Sequence, residues 1–161
     1  MKVLVAFASR HGATEEMARH IAEKLGATAL DLRGHEPTPD LAAYDGIVVG
    51  SATYMFHWLG EATAFVRDNA AVLADKPVWL FSSGPLGTAT VDDKGVDVHV
   101  AAEPKEIAQL RDLIRARDHH VFFGALDPGN LGLRDGFIRN VMPGGKKLME
   151  EGDFRDWAEV D

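Results

Sequence analysis

What most constrains this chain is how it begins. An unbroken apolar run, Val3-Leu4-Val5-Ala6-Phe7, leads through Ala8-Ser9-Arg10-His11-Gly12-Ala13-Thr14 into an amphipathic pattern that starts at Glu15. A run apolar at every position, rather than every second one, marks a strand buried on both faces, here Lys2 to Ala8. From Thr14 to Leu25, Met17, Ala18, Ile21, Ala22 and Leu25 recur at helical spacing, with Glu15, Glu16, Arg19, His20, Glu23 and Lys24 between them. Gly26 follows where a helix C-terminus favours glycine. The intervening loop therefore faces the unpaired N–H groups of a helix start and the roughly half positive charge of its dipole. Such an end binds an anion without a formal cation. Gly12 lets the backbone come close, and Ser9 and Thr14 offer hydroxyl donors. The loop predicts a phosphate site.

The alternation continues along the chain. Ala27 to Leu32 reads as a second, shorter edge strand, and Arg33-Gly34-His35-Glu36-Pro37-Thr38-Pro39-Asp40 as loop. Gly46-Ile47-Val48-Val49-Gly50-Ser51 is a third strand, followed by a helix over Leu59 to Leu73 with Ala62, Phe65, Val66, Ala70 and Leu73 inward. Val78-Trp79-Leu80-Phe81-Ser82 is a fourth. The pattern weakens from Thr88 to Ala102, where Asp92-Asp93-Lys94-Gly95 reads as a solvated turn. A helix begins near Pro104 with Ile107, Leu110, Leu113 and Ile114 inward, and Val121 to Leu126 is a fifth strand ended by Pro128-Gly129. Near-continuous apolar strands alternating with helices predict one doubly wound α/β domain over residues 1–161.

Composition removes whole classes of chemistry. The chain has no cysteine, so disulfides, thiolate nucleophiles, iron–sulfur clusters held by cysteine and thiol zinc sites are excluded. No His or carboxylate spacing supports a metal. A net charge of −8 argues against nucleic acid as a partner. No run approaches the roughly 18 apolar residues of a membrane span, and the amino terminus lacks a signal-peptide layout. The expected location is cytoplasmic.

In an open parallel sheet a ligand sits beyond the carboxyl ends of the strands, where strand order reverses. After strand one come Ser9, Arg10, His11, Gly12, Ala13 and Thr14. After strand three come Ser51, Ala52, Thr53, Tyr54, Met55, Phe56, His57 and Trp58, and after strand four Ser83, Gly84, Pro85, Leu86 and Gly87. One loop is rich in hydroxyls, one in aromatics and one in glycine. That set suits a flat heterocycle with a phosphate tail: the aromatics flank the ring, and Gly84 and Gly87 admit backbone N–H groups to its polar edge. A dinucleotide site would need Gly-x-Gly-x-x-Gly after strand one, and an NTPase Gly-Lys-Ser/Thr; neither occurs. A receiver domain would need an aspartate where strand three ends in Gly50-Ser51, and a related phosphatase a cysteine. A mononucleotide binder remains, with flavin mononucleotide (FMN) as the expected ligand.

Ser9-Arg10-His11-Gly12-Ala13-Thr14 resembles the flavodoxin phosphate loop, Thr/Ser-x-Thr-Gly-x-Thr, with His11 in place of the middle threonine. With Tyr44-Asp45-Gly46-Ile47-Val48-Val49-Gly50-Ser51, Phe123-Gly124-Ala125-Leu126, Gly144-Gly145 and Asp156-Trp157, the chain is most similar to the menaquinone-dependent protoporphyrinogen dehydrogenase group of flavodoxin-like proteins. The resemblance implies a flavodoxin-like five-stranded parallel sheet of order 2-1-3-4-5 in an α/β/α sandwich. It also implies noncovalent FMN and an oxidoreductase acting on a porphyrinogen or quinone. The alternative is an electron carrier that docks to protein redox partners and has no small-molecule substrate.

Three segments bear on that choice. Asp92, Asp93, Asp97 and Glu103 against a lone Lys94 make the stretch after the fourth strand acidic, which limits membrane contact to a peripheral one and favours the carrier. Leu133, Phe137, Ile138, Val141 and Met142, with Arg134, Arg139, Lys146 and Lys147, form an apolar stripe that a membrane or quinone would meet. Finally, Asp153 would cap a closing helix of barely two turns, which leaves apolar surface over strand one undercovered and predicts a homodimer.

Overall fold

The fold is that of a computed structural model in which residues 1–127, 129 and 151–161 are described. Its axis is β1 (Val3–Ala8), every residue of which is buried. β1 pairs in parallel with β2 (Thr28–Asp31) on one side and β3 (Gly46–Tyr54) on the other. β3 folds back on itself through β4 (His57–Trp58), and its other edge pairs in parallel with β5 (Val78–Ser83), which carries β6 (Asp118–Phe122). The order β2-β1-β3-β5-β6 is the expected 2-1-3-4-5 once the short returning strand β4 is counted.

The last strand differs from expectation. It runs over Asp118–Phe122, so His119 and His120 lie inside it rather than at its entrance. Ala125–Leu126, expected as its end, forms β7 and pairs antiparallel with β8 (Gly152–Asp153) in a separate ribbon. The cause is Gly124, whose N–H donates to the Pro85 carbonyl at 2.8 Å and so takes the chain out of the sheet's hydrogen-bond register.

The helices are α1 (Ala13–Leu25), α2 (Gly60–Asp68), α3 (Ala70–Ala74), α4 (Val98–Ala101), α5 (Ile107–Ile114) and α6 (Trp157–Val160). The helix expected over Leu59 to Leu73 is broken at Asn69, whose side-chain amide donates to the Phe65 carbonyl at 2.8 Å in competition with the backbone. Alternation along β1 divides the core. Leu4 and Ala6 face a layer built with Phe65, Val66, Leu73, Ile107, Leu110 and Ile114, while Val5 and Phe7 face one built with Met17, Ala18, Ala22, Phe81 and Phe122. Gly50 is glycine because the Phe81 ring lies where its Cβ would be, 2.0 Å away.

Two assigned core residues point outward. Leu25 is 51% exposed because α1 ends there: Gly26 turns left-handed and the chain drops back to β2. Leu113 is 45% exposed because Ile107, Leu110 and Ile114 already fill the narrow inward stripe of α5. Asp153 lies in β8, and the cap of α6 is Asp156, which accepts the Ala158 N–H at 3.0 Å. Val5 and Phe7 are fully buried, and Trp157 and Val160 pack against the same layer. The apolar residues of β1 are thus covered within the chain, so the undercoverage expected there does not occur. Among the described residues no helix is long and apolar enough to cross a membrane. The stripe from Leu133 to Met142 and the pair Gly144-Gly145 lie outside the described residues.

Candidate functional site

Strand order reverses between β1 and β3, and a cavity of about 330 Å³ opens at the carboxyl ends there. Three walls come from the segments singled out above. Ser9, Arg10, His11, Ala13 and Thr14 form one; Ala52, Thr53, Tyr54, Met55 and Phe56 the second; Ser83, Gly84, Pro85 and Leu86 the third.

The first wall organises itself. Gly12 adopts a φ of +94° as N-cap of α1, and no side chain caps the helix, so its first N–H groups point toward the cavity end of the loop. The Gly12 N–H donates to Ser9 Oγ at 3.1 Å. Arg33 braces the loop from outside, donating from Nη1 to the Ser9 carbonyl at 2.7 Å and from Nε to Glu61 at 3.1 Å. Behind it, Arg155 donates to the Ala13 carbonyl and to Glu16, and pairs with Asp153. The Arg155 hydrogen bonds hold the Asp153 carboxyl below the usual carboxylate range, and Asp153 in turn raises the guanidinium pKa.

The second wall is a hairpin rather than a loop. Tyr54 pairs with His57 and Thr53 with Trp58, leaving Met55 and Phe56 as a two-residue turn with φ of 52° and 63°. Left-handed backbone costs a side-chain-bearing residue about 1–2 kcal/mol, so the surroundings must impose it. They do so from the segment before α5. The Lys105 N–H donates to the Phe56 carbonyl at 3.1 Å, and Glu106 accepts the Trp58 N–H at 2.6 Å and bonds His57 Nδ1 at 3.0 Å.

The Trp58 indole is held as firmly. It donates to Ser82 Oγ at 2.7 Å; Ser82 lies 2.8 Å from His119 Nε2, and His119 Nδ1 lies 3.2 Å from Glu103. The Glu103 carboxylate only accepts, so the His119 proton sits on Nδ1, and in the neutral ring Nε2 accepts from the Ser82 hydroxyl, whose oxygen accepts the indole N–H. Burial of this imidazole lowers its pKa and keeps it neutral. Ser82, His119 and Glu103 have the order of a nucleophilic triad, but Ser82 is fully buried, so the set is a structural relay.

The cavity itself is suited to an anion. Although the chain carries a net charge of −8, no carboxylate lines the cavity among the described residues, and Arg10 and His11 do. The Arg10 guanidinium lies 4.4 Å over the Tyr54 ring, joining the first wall to the second. Thr53 Oγ1 is buried with no hydrogen-bond partner among the described residues, and a side chain on Gly84 would meet Thr53 at 3.1 Å. An unsatisfied buried hydroxyl costs about 1–3 kcal/mol, which a polar ligand atom in the cavity would remove.

Not every singled-out residue lines this space. Gly12 sits behind the first wall, and Gly87 turns away at a φ of +97°. Ser51 is fully buried, donating to the Ala52 carbonyl and accepting the Leu59 N–H. Trp58 packs in the core beside Ala62 and Leu80, and His57 faces Glu106 on the surface. Sequence reasoning did not place Ala102, Gly124, Ala125 and Leu126, which complete the lining. Gly124, a glycine inside the run expected as the fifth strand, was the one available signal; Glu106 and Arg155 gave none. Among the described residues no cluster of three or more metal-ligating side chains occurs.

Residues 4–147 match the profile of the flavodoxin domain family. No curated protein matches the chain significantly. Among solved structures, oxidised flavodoxin 2 of Bacillus cereus is similar at 27% identity and a TM-score of 0.55, over 78% of this chain and 86% of that one. A WrbA-like flavodoxin of Agrobacterium tumefaciens is similar at 18% identity and a TM-score of 0.51, over 71% and 74%. A flavoprotein of Lactobacillus acidophilus NCFM, solved in complex with FMN, is similar at 12% identity and a TM-score of 0.52, over 74% and 92%.

Proposed function

Because the chain belongs to the flavodoxin domain family, we propose that it is an FMN-dependent redox protein with its cofactor in the cavity at the carboxyl ends of β1, β3 and β5. The observation that carries this reading is the cavity's polarity: an uncapped helix N-terminus at one end, an aromatic hairpin at the other, and no carboxylate among the described residues between them. In it, Ser9 to Thr14 receive the phosphate on backbone N–H groups, while Tyr54, Met55 and Phe56 flank the ring and Ser83 to Leu86 meet its polar edge. Bound FMN supplies one- and two-electron transfer; the chain supplies affinity, orientation and shielding.

At the finer level, we read the protein as an oxidoreductase that exchanges electrons with a planar apolar molecule of the porphyrinogen or quinone type. Met55 and Phe56, 68% and 54% exposed at the cavity wall, support it by giving such a molecule an apolar landing surface. The second reading, an electron carrier for a protein partner, is favoured by Asp92, Asp97 and Glu103 on the adjoining segment. Purified protein titrated with FMN should quench flavin fluorescence at about one equivalent. A colourless protein that neither quenches FMN nor gains thermal stability from it ends both readings. If FMN binds, turnover of a porphyrinogen with a quinone identifies the enzyme, and stepwise photoreduction without turnover the carrier.

A further inference from the structure

We propose that Glu106 is a positioning residue whose carboxylate holds the Met55–Phe56 turn in the left-handed shape that builds the ring-flanking wall of the cavity; the proposal rests on the FMN reading above. The turn has no reason of its own to adopt that shape. Two-residue hairpin turns with positive φ at both central positions favour Asn-Gly, and Met-Phe offers neither the glycine nor the short polar side chain. β4 is only two residues long and pairs on one side, so ladder bonds alone leave it marginal.

The restraint comes instead from one distant side chain. Glu106 is 48 residues from Trp58 in sequence, its side chain is 12% exposed, and its two oxygens take separate hairpin residues, the Trp58 N–H and His57 Nδ1. A carboxylate used in this two-pronged way makes charge-assisted bonds that are shorter and stronger than neutral ones. Its neighbour adds the Lys105 N–H to the Phe56 carbonyl, so the whole turn is referenced to the start of α5. The cavity face of the hairpin carries Thr53 to Phe56, and the opposite end carries the bonds to Glu106. Glu106 is not among the residues that line the cavity and acts through the turn.

The test is a cycle in the full chain. Glu106→Ala should weaken FMN binding about tenfold, equivalent to about 1.4 kcal/mol, and raise amide hydrogen exchange across residues 53–58. Glu106→Gln keeps an oxygen for the Trp58 N–H and should stay within about threefold of the native affinity. Met55→Asn with Phe56→Gly makes the turn self-sufficient; in that background Glu106→Ala should change affinity less than about twofold. An equal loss in both backgrounds, or no loss in the native one, overturns the proposal. If the native protein fails to bind FMN, the function reading falls, and exchange over residues 53–58 in the unloaded protein still decides the clamp: no change in Glu106→Ala refutes it.

Discussion

The two ends of the cavity are built in opposite ways. The end proposed for the phosphate is local: Ser9 Oγ receives the N–H of Gly12, Gly12 opens α1, and the helix supplies the rest through its direction. The end proposed for the ring is assembled from afar, with Trp58 tied at its backbone to Glu106 and at its indole, through Ser82, to His119 and Glu103. An anion site can be made from backbone alone because every helix start has spare donors. A wall of aromatic side chains has no such default, and its shape must be imposed by packing and by hydrogen bonds from other elements.

The contrast can be broken most forcefully at the relay. Ser82→Ala leaves the Trp58 indole and His119 Nε2 buried without their shared partner, and should cost about 3 kcal/mol in urea unfolding. The relay also gives stability a pH dependence. Burial lowers the His119 pKa from its ordinary 6.5, so the unfolded chain binds the extra proton first and stability falls as pH drops below that value. His119→Gln should flatten this part of the profile in unfolding series between pH 7 and pH 5.

Next comes the local end. Gly12→Ala meets no atom of the described residues within 4 Å, so its cost is that of the left-handed backbone, about 1–2 kcal/mol, with FMN affinity down roughly tenfold by fluorescence titration. Unchanged affinity would mean that this loop is not the phosphate end. Arg33→Ala, which removes the brace on the Ser9 carbonyl, should cost about 1 kcal/mol. His11→Ala should have the smallest effect on FMN affinity, below that of Gly12 or Thr14 substitutions; the reverse ranking would show that side chains rather than backbone hold the phosphate.

The same contrast explains what could be read in the sequence. The continuous runs of β1, β3 and β5 and the stripes of α1 and α5 come from buried faces of regular elements, so these elements and the three cavity segments were legible, while the strand order rested on the family resemblance. Leu25 and Leu113 were misassigned because periodicity marks a stripe without saying where the sheet beneath it stops. Trp58 was read as a ring neighbour because it shares a segment with Tyr54 and Phe56. Its pairing with Thr53 turns it into the core, and that pairing depends on a turn no local propensity favours. Glu106 and Arg155 left no trace because an acid or base at a loop or helix start looks the same whether it is solvated or clamps something far away in sequence.

The small β7–β8 ribbon has a consequence for how the protein is made. Ala125 and Leu126 line the cavity, and they are pinned by Gly152 and Asp153, with the Phe154 N–H on the Gly124 carbonyl. The last side of the pocket therefore cannot be fastened until Asp153 has left the ribosome, a few seconds after Leu126 at about 5–20 residues per second. During that interval the parallel sheet can already form, but its ligand mouth stays open on one side.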